Sequence, residues 1–101
     1  MIAVVQWAKQ AQADRESIYV YLYREAGMVI ADSVDEKFIA MATLLEKTPL
    51  CGVQTGNKSS RRKLVMPRLP FIMVYAIEAH KVRILRILHT SRKITSRYQQ
   101  L

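Results

Sequence analysis

Metal-free cleavage of RNA is the reaction for which this sequence holds the most suitable side chains. In that reaction a ribose 2′-hydroxyl attacks the adjacent phosphate, which requires a proton acceptor, a proton donor and cations around the phosphorane. His89 and Tyr98 are the candidates for proton transfer. The candidate cations are Arg61, Arg62, Lys63, Arg68, Arg83, Arg86 and Arg92. A single histidine near the end of a strand is more often structural than catalytic, so the residues alone leave open whether the protein is an enzyme.

The sequence lacks the motifs of the other common enzyme classes. It contains no glycine-rich phosphate loop, no nucleophile elbow and no HExxH pair. The two histidines, His80 and His89, are nine positions apart, which does not match the common spacings of zinc ligands. The single cysteine, Cys51, cannot form an intramolecular disulfide. We therefore predict no metal site and no cofactor.

Charge is distributed unevenly along the chain. The 101 residues carry 16 Lys and Arg against 8 Asp and Glu, a net charge of +8. Residues 1–57 hold five basic and seven acidic side chains, whereas residues 58–101 hold eleven basic ones and the single acid Glu78. Such an excess of positive charge attracts a polyanion or an acidic protein segment. We predict that the following residues bind a target or a nucleic acid: Arg61, Arg62, Lys63, Arg68, Arg83, Arg86, Lys93 and Arg97.

The first half of the chain has the pattern of a strand followed by two helices. Residues 1–7 include a β-branched run that is typical of a strand. Residues 8–48 hold apolar side chains at helical spacing in two segments, and Gly27 between them is a residue type that commonly closes a helix. Pro49 ends the second segment. We expect the two helices to form an antiparallel hairpin.

The second half of the chain has the pattern of a sheet. Residues 49–61 are rich in glycine and polar side chains and are predicted to form a loop. Residues 62–89 contain three apolar runs, which we interpret as strands, and residues 78–81 fit the turn between the last two. Residues 90–101 form a short basic tail. The prediction is a single α+β domain over residues 1–101, with an N-terminal strand, a two-helix hairpin and a small antiparallel sheet of three further strands.

The last predicted strand carries basic side chains on both faces. Strict alternation places Arg86 on the same face as Ile84, and His89 on the same face as Ile87. A strand covered on both sides would be apolar on both faces, so this pattern indicates that part of the sheet borders an open groove. The alternative is that Arg86 pairs with an Asp or Glu of one of the helices.

No apolar run approaches the roughly 20 residues that a membrane-spanning helix requires. The N-terminus has neither a basic leader nor a small-residue cleavage site, so it lacks the features of a signal peptide. We therefore expect a cytoplasmic protein without a membrane partner.

A set of motifs extends over essentially the whole chain. The N-terminal motifs are residues 5–7 before a helix, then Asp14, Ile18, Tyr21 and Leu22 within it, and the Pro49-x-x-Gly52 turn. More specific are the stretch RKLVMPRLPFIMVY at residues 62–75 and the strand VRILRILHTSR at residues 82–92. Together these motifs resemble the ParE/RelE superfamily of bacterial toxins from type II toxin–antitoxin modules. Pro70-Phe71 and the ILRILH segment at residues 84–89 resemble the ParE branch more closely.

The resemblance implies two helices packed on a small antiparallel sheet, and a cognate antitoxin that wraps and neutralises the toxin. ParE-like members inhibit DNA gyrase, whereas RelE-like members are ribosome-dependent mRNA endonucleases. The nucleases carry an arginine at the position that matches Ile72 here, so that cation is missing. A second arginine of the family matches Arg92, and its catalytic tyrosine matches Tyr98.

Three hypotheses follow. The first is a ParE-like toxin that arrests growth by inhibiting DNA gyrase without catalysing a reaction. The alternative is a RelE-like nuclease that acts on mRNA at the ribosome, with His89, Arg92 and Tyr98 as its catalytic residues. The third is a nucleic-acid-binding module without toxicity. For either toxin we expect the antitoxin to bury the groove near Arg83 and Arg86 or the surface of the helical hairpin.

Overall fold

The protein is described by a computed structural model that covers residues 3–56 and 60–90. Two helices and five strands follow one another along this part of the chain: β1 (Val4–Trp7), α1 (Lys9–Ala26), α2 (Met28–Lys47), β2 (Val53–Gln54), β3 (Arg61–Val65), β4 (Phe71–Glu78) and β5 (Lys81–His89). The predicted α+β class is confirmed.

The two helices form the predicted hairpin, and a single residue links them. Gly27 has φ +92°, a conformation that favours glycine, and its N–H donates to the Tyr23 carbonyl at 3.1 Å. Side-chain contacts show that the two helices run antiparallel. Tyr19 on α1 donates to Asp32 near the start of α2, whereas Arg15, one turn earlier on α1, donates to Asp35, which lies later on α2. The hydrogen bond to Asp35 raises the pKa of Arg15 above its ordinary value.

The sheet has the strand order β1-β5-β4-β3-β2. The pairs from β2 to β5 are antiparallel, whereas β1 pairs in parallel with β5, so the sheet is mixed. A parallel neighbour requires a long connection, which the helical hairpin and the other strands supply. The segment predicted as a loop, residues 49–61, contains the additional strand β2. Its two residues are too few to show a periodic pattern in the sequence.

The turn between β4 and β5 lies where it was predicted. Glu78 and Lys81 are in register as the last pair of the hairpin, which leaves Ala79 and His80 as the two-residue loop. Ala79 has φ +56°, a left-handed conformation that tight hairpin turns require.

A β-bulge changes which residues of β5 point into the core. Val74 is in register with Arg86, but the next residue, Tyr75, is in register with Ile84, so Leu85 is an extra residue on β5. The buried side chains of β5 are therefore Val82, Ile84 and Ile87. The prediction of strict alternation along this strand is wrong, because a bulge shifts the alternation by one residue.

The core lies between the helices and one face of the sheet. The α2 helix contributes Val34, Phe38, Ala42 and Leu45, at the helical spacing that the sequence shows. The ring of Phe38 meets that of Phe71 on β4 edge to face, with centroids 5.4 Å apart. Burial of each such aromatic side chain stabilises the fold by about 1.5–3 kcal/mol.

Candidate target-binding surface

The side chains of the sheet are divided between the helix-covered face and the opposite face, which we call the outer face. Met73 and Tyr75 on β4 are fully buried in the core. Because successive side chains of a strand alternate, Val74 and Ala76 lie on the outer face. Away from the bulge, residues in register on neighbouring strands share a face, so the register assigns parts of β3 and β5 to the outer face as well.

Four cations lie together on this outer face. Arg61 of β3 and Arg83 of β5 are both in register with Ala76, one on each side of it. Lys63 follows Arg61 by two residues and Lys81 precedes Arg83 by two, which keeps each pair on one face. Lys63 and Arg83 are exposed, whereas Arg61 and Lys81 are partly buried. We call Arg61, Lys63, Lys81 and Arg83 the basic sheet surface.

Three members of this surface were among the predicted binding residues, and Lys81 was not. The sequence placed Lys81 in a turn, where a charged side chain is ordinarily solvated. In the structure Lys81 is the first residue of β5, in register with Val4 and Glu78.

Arg62 lies between two cations of the basic sheet surface but points to the opposite side. Its guanidinium Nη1 donates to the carbonyls of Gly52, at 2.7 Å, and Leu50, at 3.2 Å. Hydrogen bonds from a charged donor contribute about 1.5–3 kcal/mol each. Arg62 thus fastens the segment after α2 to β3. The role predicted for Arg62 in target binding stays a prediction.

The hydroxyl of Tyr75 completes this attachment. It donates to the Pro49 carbonyl at 2.7 Å and accepts from the Gly52 N–H at 2.9 Å. Burial raises the pKa of Tyr75 above its ordinary value, against the opposing effect of the Gly52 N–H. The Pro49-x-x-Gly52 motif of the sequence therefore positions the segment that leads into β2.

Arg86 is held by a helix, which is the alternative that the sequence left open. Its Nε and Nη2 donate to the two carboxylate oxygens of Asp14 on α1 at 2.7 and 3.1 Å, and the Ile87 N–H donates to the same carboxylate at 3.0 Å. The side chains of Arg86 and Asp14 are 15% and 12% exposed. This pair fixes α1 against β5 beside the bulge. The role predicted for Arg86 in target binding remains a prediction.

The other predicted site residues lie apart from the basic sheet surface or outside the described residues. The ring of His89 packs edge to face on Phe71, with centroids 5.1 Å apart. Arg68 is exposed in the turn between β3 and β4, with φ +64°. Four predicted residues lie outside the described ranges: Arg92, Lys93, Arg97 and Tyr98.

Residues 3–56 and 60–90 contain no group of three His, Cys, Asp or Glu side chains that could hold a metal ion. Over the same ranges no helix has the length and apolar character that crossing a membrane requires.

The end of the helical hairpin exposes a group of large apolar side chains. We call this group the hairpin tip: Val20, Tyr21, Tyr23, Met28, Val29 and Ile30, with exposed fractions from 44% to 78%. Contiguous exposed apolar side chains are typical of sites where another protein binds. The helical period predicts a covered stripe, but it does not show which apolar side chains at this end of the hairpin remain exposed.

Comparisons with known proteins agree with this architecture. A chain from the chromosomal ParDE TA system of P. aeruginosa has a similar fold, with a TM-score of 0.78 and 20% sequence identity. The match covers 89% of this chain and 98% of that chain. No curated protein matches the sequence. The family model described as ParE toxin of type II toxin-antitoxin system, parDE, matches residues 5–94, which span β1 through β5, and the chain therefore belongs to the ParE toxin family.

Proposed function

We propose that this chain is the toxin of a type II toxin–antitoxin pair, and that it arrests growth by inhibiting DNA gyrase. The observation that carries the proposal is the match of residues 5–94 to the ParE toxin family. The basic sheet surface supports it, because gyrase acts on DNA and a cluster of cations favours association with a phosphate-rich complex. Inhibition by binding requires no catalytic side chain and no cofactor.

The position of His89 argues against the alternative of a RelE-like mRNA endonuclease. His89 is in register with the core residue Phe71, whereas Arg83 lies on the outer face. Six positions separate Arg83 from His89 along β5, which corresponds to about 20 Å at the usual rise of a strand. A general acid or base must lie within hydrogen-bond reach of the group it serves. His89 is therefore badly placed to serve a phosphate bound at the basic sheet surface.

A cognate antitoxin is the partner that suits the exposed apolar surface. The hairpin tip offers apolar side chains to a segment that folds on binding, and the basic sheet surface offers attraction to acidic residues. Neutralisation follows if the bound antitoxin keeps the toxin away from gyrase. Both proteins and the gyrase target then share the cytoplasm.

A supercoiling assay with purified gyrase and relaxed plasmid tests the proposal. We expect the toxin to reduce supercoiling in a dose-dependent manner and to trap cleaved DNA. Prior addition of the cognate antitoxin should prevent both effects. The proposal fails if a toxin that arrests growth on expression leaves gyrase unaffected at large molar excess.

The matched assay for the alternative is mRNA cleavage on ribosomes. Here His89→Ala is the informative variant, because a nuclease that uses His89 loses cleavage, whereas a gyrase inhibitor keeps its effect on supercoiling. Growth arrest together with mRNA cleavage that His89→Ala abolishes would establish the nuclease instead.

A further inference from the structure

We propose that the basic sheet surface binds the phosphodiester backbone of DNA, so that the toxin contacts the nucleic acid as well as the protein in its target complex. The inference rests on the proposed function, because gyrase is what brings DNA to the toxin. It assigns the contact to four residues on the outer face of the sheet, Arg61, Lys63, Lys81 and Arg83.

The spacing of these cations suits a chain of phosphates. Arg61 and Lys63 are two residues apart on one strand, as are Lys81 and Arg83, which corresponds to about 7 Å between Cα atoms. Successive phosphates along a nucleic-acid strand are separated by a similar distance. Arg61 and Arg83 lie two strands apart, about 10 Å, with the short, buried side chain of Ala76 between them. Two arginines thus lie on either side of a small side chain, and guanidinium is the group that binds phosphate through paired hydrogen bonds.

Most of the acidic side chains lie on the helical layer, away from the basic sheet surface. Seven of the eight are on α1 and α2: Asp14, Glu16, Glu25, Asp32, Asp35, Glu36 and Glu46. The eighth, Glu78, is in register with Lys81 at the end of the sheet. Positive potential is therefore concentrated on the outer face. It extends from that face over the screening length, which is about 10 Å at 0.1 M salt.

An apolar row on the outer face lies beside these cations rather than among them. Val65, Ile72 and Leu88 are in register across β3, β4 and β5, and Val65 is 57% exposed. Phosphates can contact the basic sheet surface without burying this row. An acidic protein segment on the same face would gain much of its binding free energy from covering the row. The effect of a change at Val65 therefore separates the two kinds of ligand.

Binding of a fluorescein-labelled duplex of about 30 base pairs, measured by anisotropy over a range of salt concentrations, tests the proposal. The test variant is Lys63→Gln/Lys81→Gln/Arg83→Gln. The control is Lys9→Gln/Lys37→Gln/Lys47→Gln, which removes the same charge from exposed positions on the helices. We expect the test variant to bind at least about tenfold more weakly at 0.1 M salt, with a log–log salt slope smaller by about 2–3. The control and Val65→Thr should stay within about threefold of the wild type.

Three results would overturn the proposal. Equal weakening in the test and control variants would mean that net charge alone governs DNA binding. Weakening by Val65→Thr as large as that of the test variant would mean that the apolar row belongs to the site. Unchanged DNA binding in the test variant, together with loss of antitoxin binding, would assign the surface to an acidic protein segment. Lys63 and Arg83 are exposed and Lys81 is only partly buried, so we expect the test variant to keep the stability of the wild type within about 1 kcal/mol, which thermal unfolding checks.

The supercoiling assay separates this inference from the proposed function. If the wild type inhibits gyrase and the test variant inhibits it equally well with unchanged DNA affinity, the DNA site is wrong and the gyrase target stands. If the wild type does not inhibit gyrase, yet only the test variant loses DNA affinity, the site stands and the proposed target is wrong.

Discussion

Gly52→Ala is expected to disrupt the attachment between the segment after α2 and the sheet. A Cβ atom at this position would lie 2.6 Å from the Tyr75 hydroxyl oxygen and 2.7 Å from the Lys63 carbonyl oxygen. The second neighbour is backbone of β3, so the segment must move away from it. That movement weakens the hydrogen bonds from the Gly52 N–H to Tyr75 and from Arg62 to the Gly52 carbonyl. Overpacking costs about 1–3 kcal/mol and each weakened hydrogen bond about 1 kcal/mol. We therefore expect a loss of about 3 kcal/mol.

Urea unfolding followed by the fluorescence of Trp7, the single tryptophan, measures this loss. For a domain of this size 3 kcal/mol corresponds to a fall in Tm of about 15 °C. The matched control is Gly56→Ala, since Gly56 has no atom within 4 Å of its added Cβ but has φ +58°. Its expected cost is the backbone strain alone, about 1 kcal/mol. A Gly52→Ala protein as stable as the wild type, or no less stable than Gly56→Ala, would refute the steric argument.

Two further predictions concern the ion pairs and the buried hydroxyl. Asp14→Asn should cost about 2–3 kcal/mol in urea unfolding, because it leaves the Arg86 charge without its carboxylate partner. Asp35→Asn should cost less, about 1 kcal/mol, since the Arg15–Asp35 side chains are each 26% exposed; equal losses would show that burial does not govern these pairs. Because burial raises the pKa of Tyr75, its hydroxyl contributes stability that is fully present below the unfolded pKa near 10 and is lost as pH rises through the higher folded pKa. Tyr75→Phe should remove that part of the alkaline loss, so a series of urea unfolding curves from pH 8 to about 11 should fall less steeply for the variant; parallel pH profiles would contradict this.

The helical hairpin and the three long strands could be predicted because their patterns are local. The apolar positions of α2 repeat at the helical period, and Gly27 and Pro49 mark where the helices end. The turn from Glu78 to Lys81 was predicted from its position between two apolar runs. The strand β2 was not predicted, because its two residues are too few to show a periodic pattern. The parallel pairing of β1 with β5 was not predicted either, because the sequence of a strand does not show which strand it pairs with.

The candidate binding surface was predicted in composition but not in arrangement. Arg61, Arg62 and Lys63 are consecutive and equally basic, and alternation alone separates the outer pair from the middle residue. Which face is covered by helices depends on packing. The bulge at Leu85 then shifts the later residues of β5 by one position. Counting from the buried residue Ile84 would therefore place Ile87 and His89 on the outer face, although Ile87 is buried in the core.

The sequence by itself determined the amphipathic helices, the number of long strands and the separation of charge into an acidic half and a basic half, since these are properties of residue type and spacing. Only the tertiary structure decided what each cation does. Arg86 meets Asp14, 72 positions away, and Arg62 meets the carbonyls after α2, whereas Arg61, Lys63, Lys81 and Arg83 share the outer face. The physical reason is that a guanidinium acts on whatever lies within about 3 Å of it, and that neighbourhood is set by strand register and helix packing.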